Sequence, residues 1–242
     1  MAGSDFLISD IHFFGKICRG KTLLAAVRDI RKKEPRRVII VGDGFHKPPR
    51  IKIDYFERKM RKHPKQAQAL LELRAMAEED GVEFVTVPGN HDPNLASVQP
   101  HHPRFIFGKV LDEYSWERDG VRYYATHGHQ GDASLQHPLA DFACSLHDLI
   151  QKIDQEDPKM SRKIEKMFTR KIREERSIST PRWVMTRAKE LGARHAFWGH
   201  THEPVDEMIL DGVIGHGIGS FCEHPASYFE VTDRGPKLHT VG

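Results

Sequence analysis

The stretch FLISDIHFFG, residues 6–15, runs from an apolar segment straight into Ser9-Asp10-Ile11-His12. A short apolar run bounded by polar residues reads as a buried strand. Such a strand would release Asp10 and His12 where it leaves the core. Two positions apart on an extended chain, their side chains point the same way and could grip one ion. An aspartate at a strand end also makes turns, so the pair alone leaves both readings open.

The pattern recurs. RRVIIVGDG (36–44) ends its apolar run at Gly42-Asp43, and GVEFVTVPGNHD (81–92) leads into Gly89, Asn90, His91 and Asp92. Between these runs, Thr22 to Glu34 and Lys65 to Glu79 carry apolar residues at helical spacing. Strands alternating with helices predict an α/β fold, a sheet with helices packed on it. Further on, Asp119-Gly120 joins two β-rich runs as a hairpin whose second strand delivers His127.

From Pro138 to Leu191 the chain reads as helices. An apolar stripe runs from Leu139 through Phe142 to Ile153, a basic run spans Arg162 to Arg176, and Pro181 opens a further helix that Gly192 stops. Strands return at ARHAFWGHTH (193–202), which ends in His200 and His202. A second Asp-Gly hairpin follows at Asp211-Gly212, and ASYFEVTD (226–233) reads as the last strand. No linker or repeat divides the chain. The expectation is one domain, 1–242, with a helical insertion at about 138–191.

Composition narrows the classes. With 37 Lys and Arg against 34 Asp and Glu, a net charge of +3 gives no field for broad nucleic-acid binding. No apolar run approaches the ~18 residues of a membrane span. The N-terminus lacks the basic start and apolar segment of a signal peptide, so a cytoplasmic protein is expected. Cys18, Cys144 and Cys222 are odd in number and scattered, which fits a reducing compartment.

Metal-ligand residues therefore sit at five strand ends: Asp10 and His12, Asp43, Asn90 to Asp92, His127, and His200 with His202. In open sheets, ligands bind beyond the strand ends, where loops converge. Carboxylate, imidazole and amide oxygen without thiolate suit Mn²⁺ first, with Fe²⁺ or Zn²⁺ as alternatives. The donors exceed the needs of one tetrahedral ion. Two divalent ions ~3.5–4 Å apart could share a carboxylate and a hydroxide, making it a nucleophile, and clamp a phosphoryl group.

Taken together, DIH, GD, GNHD, the first histidine of HGH, and GHTH resemble the calcineurin-like metallophosphoesterases, in that family's order. The resemblance implies a two-sheet sandwich flanked by helices, with the insertion as a cap. It implies Asp10, His12, Asp43 and His202 on one metal, and Asp43, Asn90, His127 and His200 on the other, Asp43 bridging. His91 would protonate the leaving group, oriented by Asp92. The UDP-2,3-diacylglucosamine pyrophosphatase-like members look nearest. They share the insertion, an acid after the histidine motif (here Asp132), and a step like Gly219-Ser220. One departure stands out: family members usually carry an acid a few residues after Gly-Asp, whereas this chain reads GDGFHKPPR (42–50).

These features lead to a metal-dependent hydrolase of phosphoester or pyrophosphate bonds, acting on a phosphorylated small-molecule, sugar-nucleotide or lipid-linked substrate. A nucleotide phosphodiesterase, a phosphoprotein phosphatase and a non-catalytic interaction module are the alternatives. Asn90, His129, Arg170 and Arg173 are candidate substrate contacts, the arginines suiting a diphosphate. The basic run also reads as a solvated face, and the stripe from Leu139 as either a packed helical hairpin or an acyl pocket. His46, His101, His102, His216 and His224 read as solvated or supporting. No nucleic-acid partner is expected. Peripheral membrane contact and oligomeric state stay open.

Overall fold

The computed structural model describes residues 3–45, 55–99, 108–132 and 158–242, with backbone alone for 97–98 and 158–172. The apolar runs build two sheets. Strands β1 (Asp5–Ile8), β2 (Arg37–Val41) and β3 (Glu83–Val87) are parallel neighbours, with β4 (Lys109–Val110) beyond β3. On the other side of β1 lie β10 (Ala226–Thr232) and then β11 (Gly235–Val241), both antiparallel. The second sheet has the order β5 (Tyr114–Arg118), β6 (Val121–Thr126), β7 (His195–Trp198), β9 (Val213–Ile218), β8 (Pro204–Leu210). Both Asp-Gly hairpins form, β5–β6 and β8–β9.

Alternation along each strand explains the continuous apolar runs, because both faces of the first sheet are covered. Phe6, Ile8, Val38 and Ile40 pack under helices α1 (Gly20–Lys32) and α3 (Pro64–Glu78), against Leu23, Val27, Ile30, Leu70 and Leu73. Leu7, Ile39, Val41 and Val85 turn the other way and meet Trp116, Tyr123, Phe197 and Ile218 of the second sheet. The outer face of that sheet, with Tyr124, Ala196 and Trp198, packs on Val184, Met185 and Ala188. The result is the expected sandwich of two sheets between helices.

Three details differ from the sequence expectation. Short helices α2 (Tyr55–Lys62) and α4 (Leu95–Val98) flank α3 and the Asn90 loop. Strand β11 follows the segment read as the last strand. Residues Pro158–Glu190 form a single helix, α5, with Pro181 inside it rather than at its start. An internal proline removes one backbone hydrogen bond. Packing of the following turns on the second sheet, through Val184, Met185 and Ala188, offsets that loss. Gly192 stops the helix in the left-handed region, as expected (φ +69°). The stripe from Leu139 to Ile153 lies outside the described residues, as do His46, His101, His102 and Cys144. No helix among the described residues is long and apolar enough to cross a membrane.

Candidate metal centre

Strands β1, β2, β3, β6 and β7 end on the same side of the sandwich, and their loops interlock. The loop after β1 pairs with the loop after β2, the N–H groups of Asp10 and His12 donating to Gly42 O (3.1 Å) and Asp43 O (2.8 Å). Phe221 N–H, in the loop after β9, donates to Asp10 O at 3.2 Å. The backbone here is not extended. Asp10 (φ +49°), His12 (+49°), Asp43 (+48°), His200 (+63°) and His202 (+61°) all occupy the left-handed region. Non-glycine residues rarely adopt it, and such strain collects at functional sites. Asp10 and His12 thus meet through left-handed backbone at both residues, not through the strand-like alternation that their spacing suggests.

Two glycines make the approach of the side chains feasible. A Cβ on Gly42 would lie 2.1 Å from Nδ1 of His127, at a position that also has φ +78°. One on Gly199 would lie 1.9 Å from Ser9 Oγ and 2.5 Å from Asp10 Oδ2. The small residue before each ligand is therefore required by the packing of the ligand opposite.

The side chains converge on two buried carboxylates. His202 Nε2 is 3.1 Å from Asp10 Oδ1, and His200 N–H donates to Asp10 Oδ2 at 3.0 Å. His12 Nε2 and His127 Nε2 stand 3.6 and 3.5 Å from the same oxygen, Asp43 Oδ2. Asp43 Oδ1 accepts the His91 N–H at 2.8 Å. Two clusters have donor atoms close enough for one cation, Asp10–His12–His202 and Asp10–Asp43–His127. Asp10 belongs to both, while Asp43 lies between His12 and His127. The two carboxylates together join the halves of the site.

Charges follow from this packing. Burial opposes protonation of His127, but the Asp43 carboxylate outweighs it and lifts the imidazole to about 9. His202 is likewise opposed by burial and raised by Asp10 and then Glu223, to about 10. Burial works against ionisation of Asp10 too, yet His202 and His127 hold it at about 2, and Asp43 falls well below the usual carboxylate range through His127 and His12. Burial leaves His12 and His200 neutral, each at about 4.

The donor set fits divalent metal. Asn90 Oδ1 and His127 Nε2 are buried with no hydrogen bond among the described residues. Both atoms are good donors to a hard or borderline cation; burying Asn90 Oδ1 without a partner is costly, and His127 Nε2 is compensated by the Asp43 carboxylate at 3.5 Å. His127 Nδ1–H is used on Val41 O (3.1 Å), which turns Nε2 toward Asp43.

The remaining candidates are placed as follows. His91 is exposed at the rim, its ring centroid 5.2 Å from that of His12. Asp92 does not orient it. Its two oxygens accept backbone N–H groups of Gly44 (3.3 Å), Phe45 (2.7 Å) and Gly89 (2.9 Å), tying the β3 loop to the β2 loop. Those donors compete successfully because they converge on a buried carboxyl, which burial and Asp43 push up to about 7. His129 is half-buried beside His127, 5.4 Å between ring centroids. Arg173 is exposed, with Nη2 3.4 Å from Glu223 Oε1, and the side chain of Arg170 lies outside the described residues. In the stretch after Gly42-Asp43, where the family resemblance led to the expectation of an acid, Phe45 is buried against Phe13 and Phe56, each 5.6 Å away.

A family model for calcineurin-like phosphoesterases matches residues 6–204. The chain belongs to the calcineurin-like phosphoesterase family. It is a metal-dependent phosphoesterase. Solved structures that this phosphoesterase resembles include an archaeal phosphodiesterase, 14% identical over 98% of this chain and 99% of that one, TM-score 0.48. The phosphoesterase Yfce from E. coli is 16% identical over 95% and 88%, TM-score 0.49. Vps29 from Entamoeba histolytica, complexed with zinc, is 11% identical over 98% of each chain, TM-score 0.45. No match was found among curated proteins.

Three residues at the site escaped the sequence reading as site groups: Arg176, which pairs with Asp132; Glu223, which pairs with His202; and Ser9, whose Oγ donates to Asp10. Asp132 was noted only as a family likeness, yet it is fully buried against His200. An acid so close behind His127-Gly128 was the available signal. Glu223 lies in a loop with no motif, and nothing in its spacing marks it.

Proposed function

We propose that this phosphoesterase holds two divalent ions, manganese first, and hydrolyses a phosphoester or pyrophosphate bond in a phosphorylated small molecule. One observation carries the reading. His12 and His127, from different sheets, approach one oxygen of Asp43 from 3.6 and 3.5 Å. Asp10, His12, Asp43 and His202 would hold one ion, and Asp43, Asn90, His127 and His200 the other. Bound metal supplies positive charge that polarises the phosphoryl oxygens and acidifies the attacking water.

The chain's own groups do the rest. Asn90 and His129, which neighbours His127, would contact the phosphoryl oxygens, and Arg173 would approach from the side of Glu223. His91 is exposed there, with its backbone pinned to Asp43, so an imidazolium at that point can pass its proton to the departing oxygen. Part of the residue reaches solvent, but crowding of its ring among the site groups desolvates the His91 imidazole and lowers it below its ordinary value, which makes it a stronger acid when protonated. Asp92 fixes the loop that carries His91 rather than the ring itself.

A sugar-nucleotide or lipid-linked diphosphate is the finer substrate reading, carried by the likeness at Asp132 and Gly219-Ser220. With it goes a single cytoplasmic domain whose insertion caps the site. The test is turnover in Mn²⁺ of an aryl phosphate, a diester, a sugar-nucleotide diphosphate and a lipid-linked diphosphate. Chelator-sensitive hydrolysis of at least one is expected, and preference for the diphosphates supports the finer reading. No hydrolysis of any, with any divalent metal, overturns the proposal.

A further inference from the structure

The two histidines of the 199–202 loop are each backed by a carboxylate, and each carboxylate by an arginine of α5. His200 Nε2 lies 2.7 Å from Asp132 Oδ2, and Arg176 Nε donates to that same oxygen at 2.8 Å. His202 Nδ1 lies 3.7 Å from Glu223 Oε1, which is 3.4 Å from Arg173 Nη2. Arg173 and Arg176 are three residues apart, one turn of the helix, so they share a face. Two parallel chains therefore start on one helix turn and end two residues apart in one loop.

The inner chain is the stronger. Asp132 is fully buried, whereas the side chains of Glu223 and Arg173 are 46% and 58% exposed, where ion pairs contribute little. The Asp132 oxygen that faces His200 already accepts from Arg176, so it meets the ring as an acceptor. Nε2 of His200 is then the N–H of that ring, and Nδ1 keeps the lone pair. One oxygen thus selects which nitrogen of the ring is available as a donor and fixes how the ring is turned.

We propose that Asp132, anchored by Arg176, is a positioning residue that sets the tautomer and orientation of His200, and that α5 is coupled to the metal centre through it. This rests on the two-metal reading given above. A salt bridge that merely fastened α5 would serve the fold equally well without His200. The two roles separate on metal affinity and on the tautomer.

The experiment uses the full chain, stripped of metal. Long-range ¹⁵N–¹H correlation spectra give the His200 tautomer, and titration with Mn²⁺ in competition with a chelator gives the affinity of each ion. The wild type is expected to show Nε2-protonated His200. Asp132→Asn is expected to weaken one ion by about 10–100-fold, the usual effect of losing such a partner, and to leave the other near wild type. Arg176→Gln, on a more accessible side chain, gives a smaller loss in the same ion, and Arg176→Lys restores most of it; this pair decides if Asp132→Asn fails to fold. An Nδ1-protonated His200, or a folded Asp132→Asn or Arg176→Gln that binds both ions as tightly as wild type, overturns the inference. Wild-type protein that binds no pair of ions removes the reading beneath it instead.

Discussion

Oδ2 of Asp43 lies 3.5 Å from Nε2 of His127, a contact between the end of β2 in one sheet and the end of β6 in the other. With the contacts of Asp10 to His200 and His202, it joins the two halves of the sandwich chemically as well as by packing. In the proposed two-ion site, replacing Asp43 with alanine would remove a donor from both ions at once. The expected outcome is loss of both ions and of turnover, read by elemental analysis and a phosphatase assay on the same sample. Retention of a full metal complement would contradict the bridging position.

Metal binding should release protons. In the metal-free chain His127 and His202 hold theirs up to about 9 and 10. A cation reaches those nitrogens only by displacing the protons. Apparent affinity should therefore climb as pH rises from 7 toward 9. Calorimetry in two buffers of different ionisation heat measures the release directly. Without metal the sign reverses. Both folded values exceed the unfolded value of about 6.5, so their contribution to stability is complete below that pH and lost as pH rises through 9 to 10.

His91→Ala should leave metal content intact and lower turnover by roughly two to four powers of ten, the usual worth of a general acid. The deficit should shrink for nitrophenolate leaving groups, which depart without protonation. A deficit equal for nitrophenolate and alkoxide would exclude His91 as the acid.

Asp92→Asn probes a different function in the neighbouring position. The amide keeps the shape but offers one acceptor atom where the carboxylate offers two for the Gly44, Phe45 and Gly89 N–H groups. Loss of about 1–3 kcal/mol of stability is expected, as for an unsatisfied buried group. Any fall in turnover should be the same for good and poor leaving groups. A leaving-group dependence matching that of His91→Ala would mean that Asp92 acts through the ring after all.

Much of this was legible because strand ends carry their chemistry in short motifs. The apolar run of β1 and the Gly42-Asp43 step of β2 each located both a core strand and a candidate ligand. What escaped was tertiary in origin. The destination of the Asp92 carboxylate depends on how the β2 and β3 loops meet, which no local pattern encodes. Helix α5 runs through Pro181 because the sheet beneath it rewards continuity, so a rule about local breakers placed a boundary there. Glu223 reaches His202 from a loop set by the pairing of Phe221 with Asp10. Arg173, read as a substrate contact, also pairs with that glutamate, a competition invisible from the basic run.

Away from the candidate metal centre, His195 Nδ1 and His216 Nε2 are 3.0 Å apart within stacked rings. Burial, and then each other's proximity, lowers His195 to about 4, and burial lowers His216. The unfolded chain takes up protons that the folded pair refuses, so stability contributed by the pair is complete above about 6.5 and lost as pH falls toward 4. His216→Phe keeps the stacking on Phe197 and should flatten this part of the loss. Urea midpoints at pH 7 and pH 5 measure it, and equal pH sensitivity in the variant would contradict the assignment.

The most direct test of the central claim is metal stoichiometry measured together with turnover as the ions are removed and returned. Two transition-metal ions per chain are predicted, with activity abolished by chelation and restored by Mn²⁺ far better than by Ca²⁺, which prefers all-oxygen cages. Full activity in excess chelator, with no transition metal bound, would contradict the account.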